Sequence, residues 1–150
     1  MSVLADIRTA EQKFQDTELI FRSFHEENPV VYKLFKRELL KRIRKLERKR
    51  ILFSFTPSVR GIFEDIREWK FVTTGDDFYK LNNNFFKHYV FEFYRQHPTM
   101  AGMFSHRGHI PEDIKTLIEE NKARIEFVKS KNKKRFTKPI NVTEQLKFFA

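Results

Sequence analysis

The chain has 150 residues but only four glycines and five prolines, which suits a single, mostly α domain of long helices with short connections. It has no cysteine, which excludes disulfides, thiolate zinc sites and a cysteine nucleophile, and no apolar run approaches the roughly 20 residues that span a bilayer. The net charge of +10 favours an anionic partner, and together these features predict a soluble, intracellular protein that does not enter a membrane.

The first third of the chain predicts two helices joined at an Asn-Pro pair. We expect one helix over residues 17–26, capped at Asp16, with room for another before it. Asn28 followed by Pro29 is a strong start signal, because asparagine caps helices and proline loses nothing at the first helical position. The second helix is predicted over residues 29–48, on apolar residues spaced three and four apart.

This second helix carries a long run of like charges. Residues 33–50 contain ten lysines and arginines against Glu38 and Glu47, a net charge of +8, and residues 122–138 contain eight against Glu126, a net charge of +7. Cations four residues apart on a helix repel each other by a few tenths of a kcal/mol. A chain that carries this repulsion suits a polyanionic partner, and phosphate backbones are the commonest one.

The two blocks supply the candidate phosphate contacts. On one face of the second helix these are Lys36, Arg37, Lys41, Arg44, Lys45 and Arg48. In the second block they are Lys133, Lys134 and Arg135, within a basic tail, residues 131–150, whose low apolar content is typical of partial disorder. Residues 1–130 are then the helical domain, with about five helices.

The middle of the chain predicts a helix, then a small hairpin or an extended arm, and then a second helix. Thr56-Pro57 indicates the start of a helix of about 12 residues. The β-branched residues before Gly75 favour a hairpin near residues 70–80, and a hairpin over residues 71–78 would make the domain a winged-helix relative. A helix of about 14 residues is expected next, ending near His97 because Pro98 follows, and a last long helix after Pro111.

Three asparagines precede the helix that ends near His97 and allow two interpretations. They cap the helix or, in a helix-turn-helix arrangement, they read bases, because asparagine can bond adenine N6 and N7 with both amide atoms. Capping explains them adequately. The predicted link between the two helices is also longer than in a helix-turn-helix, which argues against base reading. They are the only candidates for base reading: Asn82, Asn83 and Asn84.

Catalysis has weaker support. A metal-dependent nuclease would need acids near a lysine, as in Glu64, Asp65, Asp76, Asp77 and Lys80, but the spacing of the lysine differs from the usual pattern and no central sheet is predicted. His106 and His109 form one close pair, and zinc would need two more ligands from elsewhere. Motifs for cradling nucleotide phosphates or for a nucleophile elbow are absent. We therefore predict no cofactor, no metal and no catalysis.

The stretch FHEENPVVYKLF, residues 24–35, together with residues 62–104, resembles a family of small uncharacterised proteins of bacteriophages and prophages. The chain departs from the family pattern by Tyr79, inserted before Lys80, and by Lys70, where an acid often follows the tryptophan. The resemblance implies a phage or prophage setting in the host cytoplasm and no particular reaction. The chain keeps the family's spacing at GDDF, residues 75–78, and at Phe24, His25, Asn28, Pro29 and Tyr32.

The charge pattern thus predicts a non-catalytic nucleic-acid-binding protein, with DNA favoured over RNA. The alternative is a phage-encoded interaction module that binds an acidic host protein through the same cations, and a metal-dependent nuclease comes third.

Overall fold

The computed structural model describes residues 9–74 and 83–137, and the described side chains are those of residues 9–69 and 84–132. Five α-helices follow one another in these ranges: α1 (Ala10–Glu27), α2 (Pro29–Arg48), α3 (Val59–Thr74), α4 (Phe86–Gln96) and α5 (Glu112–Thr137). Two 3-10 turns, Asn83–Phe85 and Pro98–Met100, lie on either side of α4. The described ranges form no strand, so the predicted mostly α, single-domain class is confirmed. None of the described helices is both long enough and apolar enough to cross a bilayer.

Helix α4 lies at the centre of the core, with six of its 11 residues buried. Phe21 of α1 packs edge to face on Tyr89 with ring centroids 4.8 Å apart, and Phe63 of α3 stacks on Phe86 at 4.2 Å. Burial of each such ring contributes about 1.5–3 kcal/mol, so these contacts supply a large part of the energy that holds α1 and α3 against α4. The buried residues of α4 are His88, Tyr89, Val90, Phe91, Phe93 and Tyr94.

One column of rings between α1 and α4 alternates phenylalanine and histidine. His88 lies between Phe14 and Phe21, at centroid distances of 4.5 and 5.1 Å, and Phe21 stacks in turn on His25 at 5.5 Å. His88 is 4% exposed, and burial lowers its pKa to about 4, with nearby cations adding to the shift. The imidazole therefore serves this column as a neutral, flat aromatic partner.

The first helix begins earlier than the sequence predicts. Thr9 and Gln12 form a capping box, in which Thr9 Oγ1 accepts from the Gln12 N–H at 3.2 Å and Gln12 Oε1 accepts from the Thr9 N–H at 3.0 Å. The predicted cap at Asp16 is wrong, because Asp16 lies inside a continuous α1.

The Asn-Pro pair joins α1 to α2 differently from a simple N-cap. Asn28 donates from Nδ2 to the Phe24 carbonyl at 3.1 Å, and its backbone N–H donates to the same oxygen at 2.9 Å. Its side chain therefore closes α1 and makes no capping bond to α2. Pro29 occupies the first position of α2, and α2 has the predicted bounds.

The hairpin prediction is wrong for the residues that the structure describes. Helix α3 continues through Thr74, so residues 71–74 are helical, and residues 75–78 lie outside the described ranges. The β-branched character of residues 72–74 is a weak preference, which a helix already propagating from an amphipathic segment overrides. The helix also starts later than Thr56-Pro57 indicates, because Ser58 Oγ accepts from the Gly61 N–H at 3.0 Å and caps it.

The last helix is longer than its composition suggests. Helix α5 runs through Thr137, so residues 131–137 of the predicted tail are helical, and residues 138–150 lie outside the described ranges. Its first turn contains Glu112 and Asp113, which the positive end of the helix dipole stabilises.

Acidification is expected to destabilise the protein in part through His88. Its pKa is about 4 in the folded protein and near 6.5 in the unfolded chain, so the unfolded state binds more protons between these values. Stability is therefore highest above pH 6.5 and falls as the pH falls towards 4, by about 1–2 kcal/mol from this residue at pH 5. Urea unfolding at pH 7 and pH 5 measures the loss. The variant His88→Gln should show a smaller difference between the two pH values, and an unchanged difference would contradict this account.

Candidate nucleic-acid interface

The basic ridge is the set of lysines and arginines in residues 33–50, most of it on the exposed side of α2. The opposite side of the helix fixes this orientation, because its apolar residues are buried in the core: Val31, Leu34, Phe35, Leu39 and Ile43. A helix anchored along one side cannot rotate to separate the charges on its other side. The sequence thus predicts the ridge correctly as an exposed surface.

The first half of the ridge is only partly neutralised. One carboxylate, Glu38, lies within 4 Å of three cations: its oxygens are 3.7 Å from Arg37, 3.4 Å from Lys41 and 3.5 Å from Arg42. Arg42 also pairs with Asp65 of α3 at 2.8 Å. Exposed pairs of this kind contribute about 0–1 kcal/mol, and two acids cannot balance the cations around them.

Lys36 stands apart from the other predicted phosphate contacts. Its Nζ donates to Gln96 Oε1 at 3.1 Å, and the same oxygen accepts from the Tyr32 hydroxyl at 2.8 Å. The Lys36 ammonium therefore lies at the C-terminal end of α4, where the helix dipole favours a cation.

The second half of the ridge carries cations with no acidic partner within 4 Å among the described residues. The helix dipole favours cations in the last turn of α2 by about 0.3–1 kcal/mol, which accounts for part of this arrangement. Four cations and Glu47 surround an open depression of about 630 Å³ on this surface. The cations without an acidic partner are Arg44, Lys45, Arg48, Lys49 and Arg50, all of them exposed.

The chain leaves α2 through a Schellman motif with arginine in its left-handed position. Ile51 N–H donates to the Leu46 carbonyl at 3.0 Å, and Arg50 N–H donates to the Glu47 carbonyl at 3.0 Å. Arg50 has a φ of 56°, where glycine is usual because a Cβ costs about 1–2 kcal/mol. A cation kept at a strained position is the kind of feature that accompanies functional surfaces.

Helix α5 binds the segment that follows the ridge. Asn132, 7% exposed, donates from Nδ2 to the Leu52 carbonyl and to Ser54 Oγ, both at 2.9 Å. The Arg124 guanidinium lies 5.6 Å from the centre of the Phe53 ring. These contacts are eight residues apart on α5, about 12 Å along the helix. They bring the two basic blocks together, at the end of α2 and the C-terminal half of α5.

The predicted contacts of the second block lie on this same helix. Lys133, Lys134 and Arg135 follow Asn132 directly within α5, although their side chains are not among the described ones. Lys131 is exposed, with its Nζ 4.7 Å from the centre of the Phe127 ring. Residues 131–137 of the second block therefore continue α5 as a helix, where the sequence predicts a partly flexible tail.

Asn132 and Arg50 were missed as candidate residues from the sequence. Asn132 follows Ile125 and Val128 at spacings of three and four, so an asparagine at a core position of α5 was the available signal. No comparable signal marks Arg50, because its role depends on a backbone dihedral angle.

Asn84, the predicted base-reading asparagine whose side chain is described, does not lie with the ridge. Asn84 lines a depression of about 570 Å³ with Phe14 and His88, and no ridge residue lines it. Asn82 and the side chain of Asn83 lie outside the described set. Every α4 residue before Gln96 is buried or half-buried, which leaves no exposed side for a DNA groove. Base reading by these asparagines stays a prediction.

The acids considered for a nuclease have other partners where they are described. Glu64 pairs with Arg60 at 3.3 Å, and Asp65 pairs with Arg42. Residues 76, 77 and 80 lie outside the described ranges. Within those ranges, no group of three or more histidines and acids is arranged to hold a metal ion.

The histidine pair in SHRGH packs against the core. The Tyr94 hydroxyl accepts from the Phe104 N–H at 3.1 Å and lies 2.8 Å from His106 Nε2, so its proton is free to bond that nitrogen. Burial lowers the pKa of His106 to about 4, which keeps the nitrogen able to accept. The His109 ring contacts Phe14 at 5.1 Å.

The residues of the phage-family resemblance that are described form the junction of α1 and α2, whereas residues 75–78 lie outside the described ranges. Phe24 packs on Phe85 at 5.2 Å, and His25 meets Tyr32 edge to face at 5.5 Å. Together with the hydrogen bonds of Asn28, these contacts give this stretch a structural role at the junction.

No protein-family model matches the chain, and searches of curated proteins and solved structures give no match either. The resemblance to phage proteins therefore stays a prediction.

Replacement of Arg50 by glycine is expected to stabilise the protein by about 1 kcal/mol, because glycine adopts the left-handed conformation without strain. Chemical unfolding at neutral pH measures the change. Lys49→Gly is the matched control: it also removes a cation, but Lys49 is in a right-handed conformation, with a φ of −80°. Glycine there should lower stability by about 0.5–1 kcal/mol. Equal effects of the two variants would refute the strain at Arg50.

Substitution of Asn132 tests the contact between α5 and the segment after the ridge. Asn132→Ala removes two hydrogen bonds donated by a buried amide, each worth about 0.5–1.5 kcal/mol, and should cost about 1–3 kcal/mol. Asn132→Asp is expected to cost more, because a carboxylate would face the Leu52 carbonyl without a proton to donate. Thermal unfolding at pH 7 ranks the two, and an aspartate variant as stable as the wild type would contradict the hydrogen bonding described.

Proposed function

We propose that the protein binds nucleic acid, without catalysis, through a basic patch formed where α2 ends and α5 passes. The observation that carries the proposal is the contact of Asn132 with Leu52 and Ser54, which brings two basic blocks about 80 residues apart in sequence to one place. The basic patch consists of Arg44, Lys45, Arg48, Lys49, Arg50 and Lys131.

The electrostatics of the basic patch support a polyanion over a small anion. Its cations are distributed along two helices, and none of the five on the α2 side has an acidic partner among the described residues. A phosphate backbone neutralises such cations in series, and each contact releases a counterion. A helix surface with acids and bases at alternating positions would be equally polar, and its charges would pair with each other and not repel.

The setting that we propose is a bacteriophage or prophage, from the resemblance of residues 24–35 and 62–104. An acidic host protein remains the alternative partner for the same cations. Capture from lysate with and without nuclease treatment separates the two, because nuclease removes a nucleic-acid partner and leaves an acidic protein bound.

Neutralisation of the patch should weaken binding far more than neutralisation of other cations. The variant Arg44→Gln, Lys45→Gln, Arg48→Gln is expected to lose about tenfold or more in affinity for a labelled oligonucleotide at low salt. The slope of log affinity against log salt should also fall in magnitude by about 2–3, one contact for each cation removed. Fluorescence anisotropy over about 50–200 mM salt measures both.

The control variant changes the net charge equally at exposed cations outside the patch: Arg22→Gln, Arg107→Gln and Lys115→Gln. It should keep most of the affinity and most of the salt slope. Equal losses of affinity in the two triple variants would show that net charge, and not the position of the cations, controls binding, which would contradict the assignment of the patch. The absence of DNA and RNA binding by the wild type at low salt would refute the proposed function.

A further inference from the structure

We infer that the basic patch binds single-stranded nucleic acid, whose unpaired bases stack on Phe55 and Phe127. This inference rests on the proposed function and adds the class of nucleic acid to it. Phe55 is 54% exposed and Phe127 is 59% exposed. Among the phenylalanines with described side chains, these two alone are exposed, and the others are buried or half-buried.

Phe55 lies beside the patch because of its position in the chain. It directly follows Ser54, whose Oγ accepts the hydrogen bond of Asn132 at 2.9 Å. It is also five residues beyond Arg50, in the segment that the Asn132 amide holds against α5.

Phe127 belongs to α5, the helix that Asn132 and Arg124 hold against the 52–54 segment. It precedes Asn132 by five residues, about 7.5 Å along the helix axis and about 140° around it, so the two side chains leave α5 in different directions. Arg124 and Lys131, three residues before and four residues after Phe127, share its side of the helix. Arg124 contacts the Phe53 ring and Lys131 belongs to the basic patch, so Phe127 adjoins the patch through these two cations.

The combination of exposed rings and cations matches the chemistry of an unpaired strand. The Lys131 ammonium is 4.7 Å from the centre of the Phe127 ring, so a phosphate at Lys131 places the neighbouring base near that ring. Stacking on an aromatic side chain is available to every base in a single strand, and is worth about tenfold in affinity for each base. In a duplex the faces of the bases are already occupied by their neighbours, and the rings would gain nothing.

Two other ligands for Phe55 and Phe127 are less suitable than a single strand: a second copy of this chain and an acidic peptide. A second copy of this chain would bring its own cationic patch against the first, and the like charges would oppose association. An acidic peptide would satisfy the cations, but it stacks on the rings only where its own sequence supplies aromatic residues, whereas every nucleotide of a single strand carries a flat base next to its phosphate.

The test compares three labelled ligands of the same length, about 16 nucleotides: a single strand of thymidines, a duplex, and an abasic deoxyribose-phosphate strand. The thymidine strand is expected to bind about tenfold or more tightly than the abasic strand, which has the same charge but no bases. The double variant Phe55→Ser, Phe127→Ser should bring the thymidine strand down to the affinity of the abasic strand and leave the abasic strand unchanged. The variant Phe55→Trp, Phe127→Trp should keep the preference.

The matched control is Leu19→Ser, Ile20→Ser, which removes two exposed apolar side chains of α1, 74% and 62% exposed. It should leave all three affinities unchanged. Equal binding of the thymidine and abasic strands, or tighter binding of the duplex, would overturn the inference and leave the proposed function standing. Loss of binding to every strand at low salt would refute both. A change in sedimentation mass of the serine variant with no change in its affinities would assign the two rings to a contact between copies, which also overturns the inference.

Discussion

The burial of one side of α2 is the constraint on which the rest of this surface depends. Phe35 and Leu39 are fully buried, and the Phe35 ring stacks on Phe63 at 5.3 Å, so α2 is fixed against the aromatic core. With that side anchored, cations at every third or fourth position must share the other side. The repulsion between them is therefore a consequence of packing. Burial of several large side chains on the other side of α2 contributes about 1.5–3 kcal/mol each. Packing energy of that size easily outweighs a few tenths of a kcal/mol for each like-charged pair.

Contacts between segments that are distant in sequence then determine which charged residues are neighbours in the fold. Asn132 is buried and satisfied by Leu52 and Ser54, and a buried amide left without these partners would be unfavourable. The same bonds determine that the C-terminal half of α5 passes beside the end of α2. One polar side chain thus both stabilises the fold and brings two basic blocks together, which net charge alone does not determine.

The sequence predicts elements whose signals are local and repeated. Helix α2 has the expected bounds because Pro29 marks its start and its apolar spacing persists for 20 residues. The hairpin failed at residues 71–74 because strand preference in four residues is weaker than continuation of an existing helix. The sequence predicts a tail from residue 131, whereas residues 131–137 continue α5. Composition shows that these residues are charged, but it does not show the hydrogen bond that Asn132 makes to Leu52. Among the candidate site residues, the ridge follows from periodicity, whereas the strain at Arg50 requires a dihedral angle that no sequence pattern states.

At the end of the ridge, the helix dipole explains some of the cations but not all of them. The dipole of α2 favours cations in its last turn, so Lys45 and Arg48 have a local explanation. Arg50 lies beyond the helix, in a conformation that favours glycine, and gains little from the dipole. Local physics thus disfavours arginine at this position twice, through backbone strain and through repulsion from its neighbours. Phe53 has the same kind of backbone conformation, with a φ of 69°, but its ring is buried in the core, and that burial offsets the cost. Arg50 is exposed and gains no such burial, so its cost is not offset by packing.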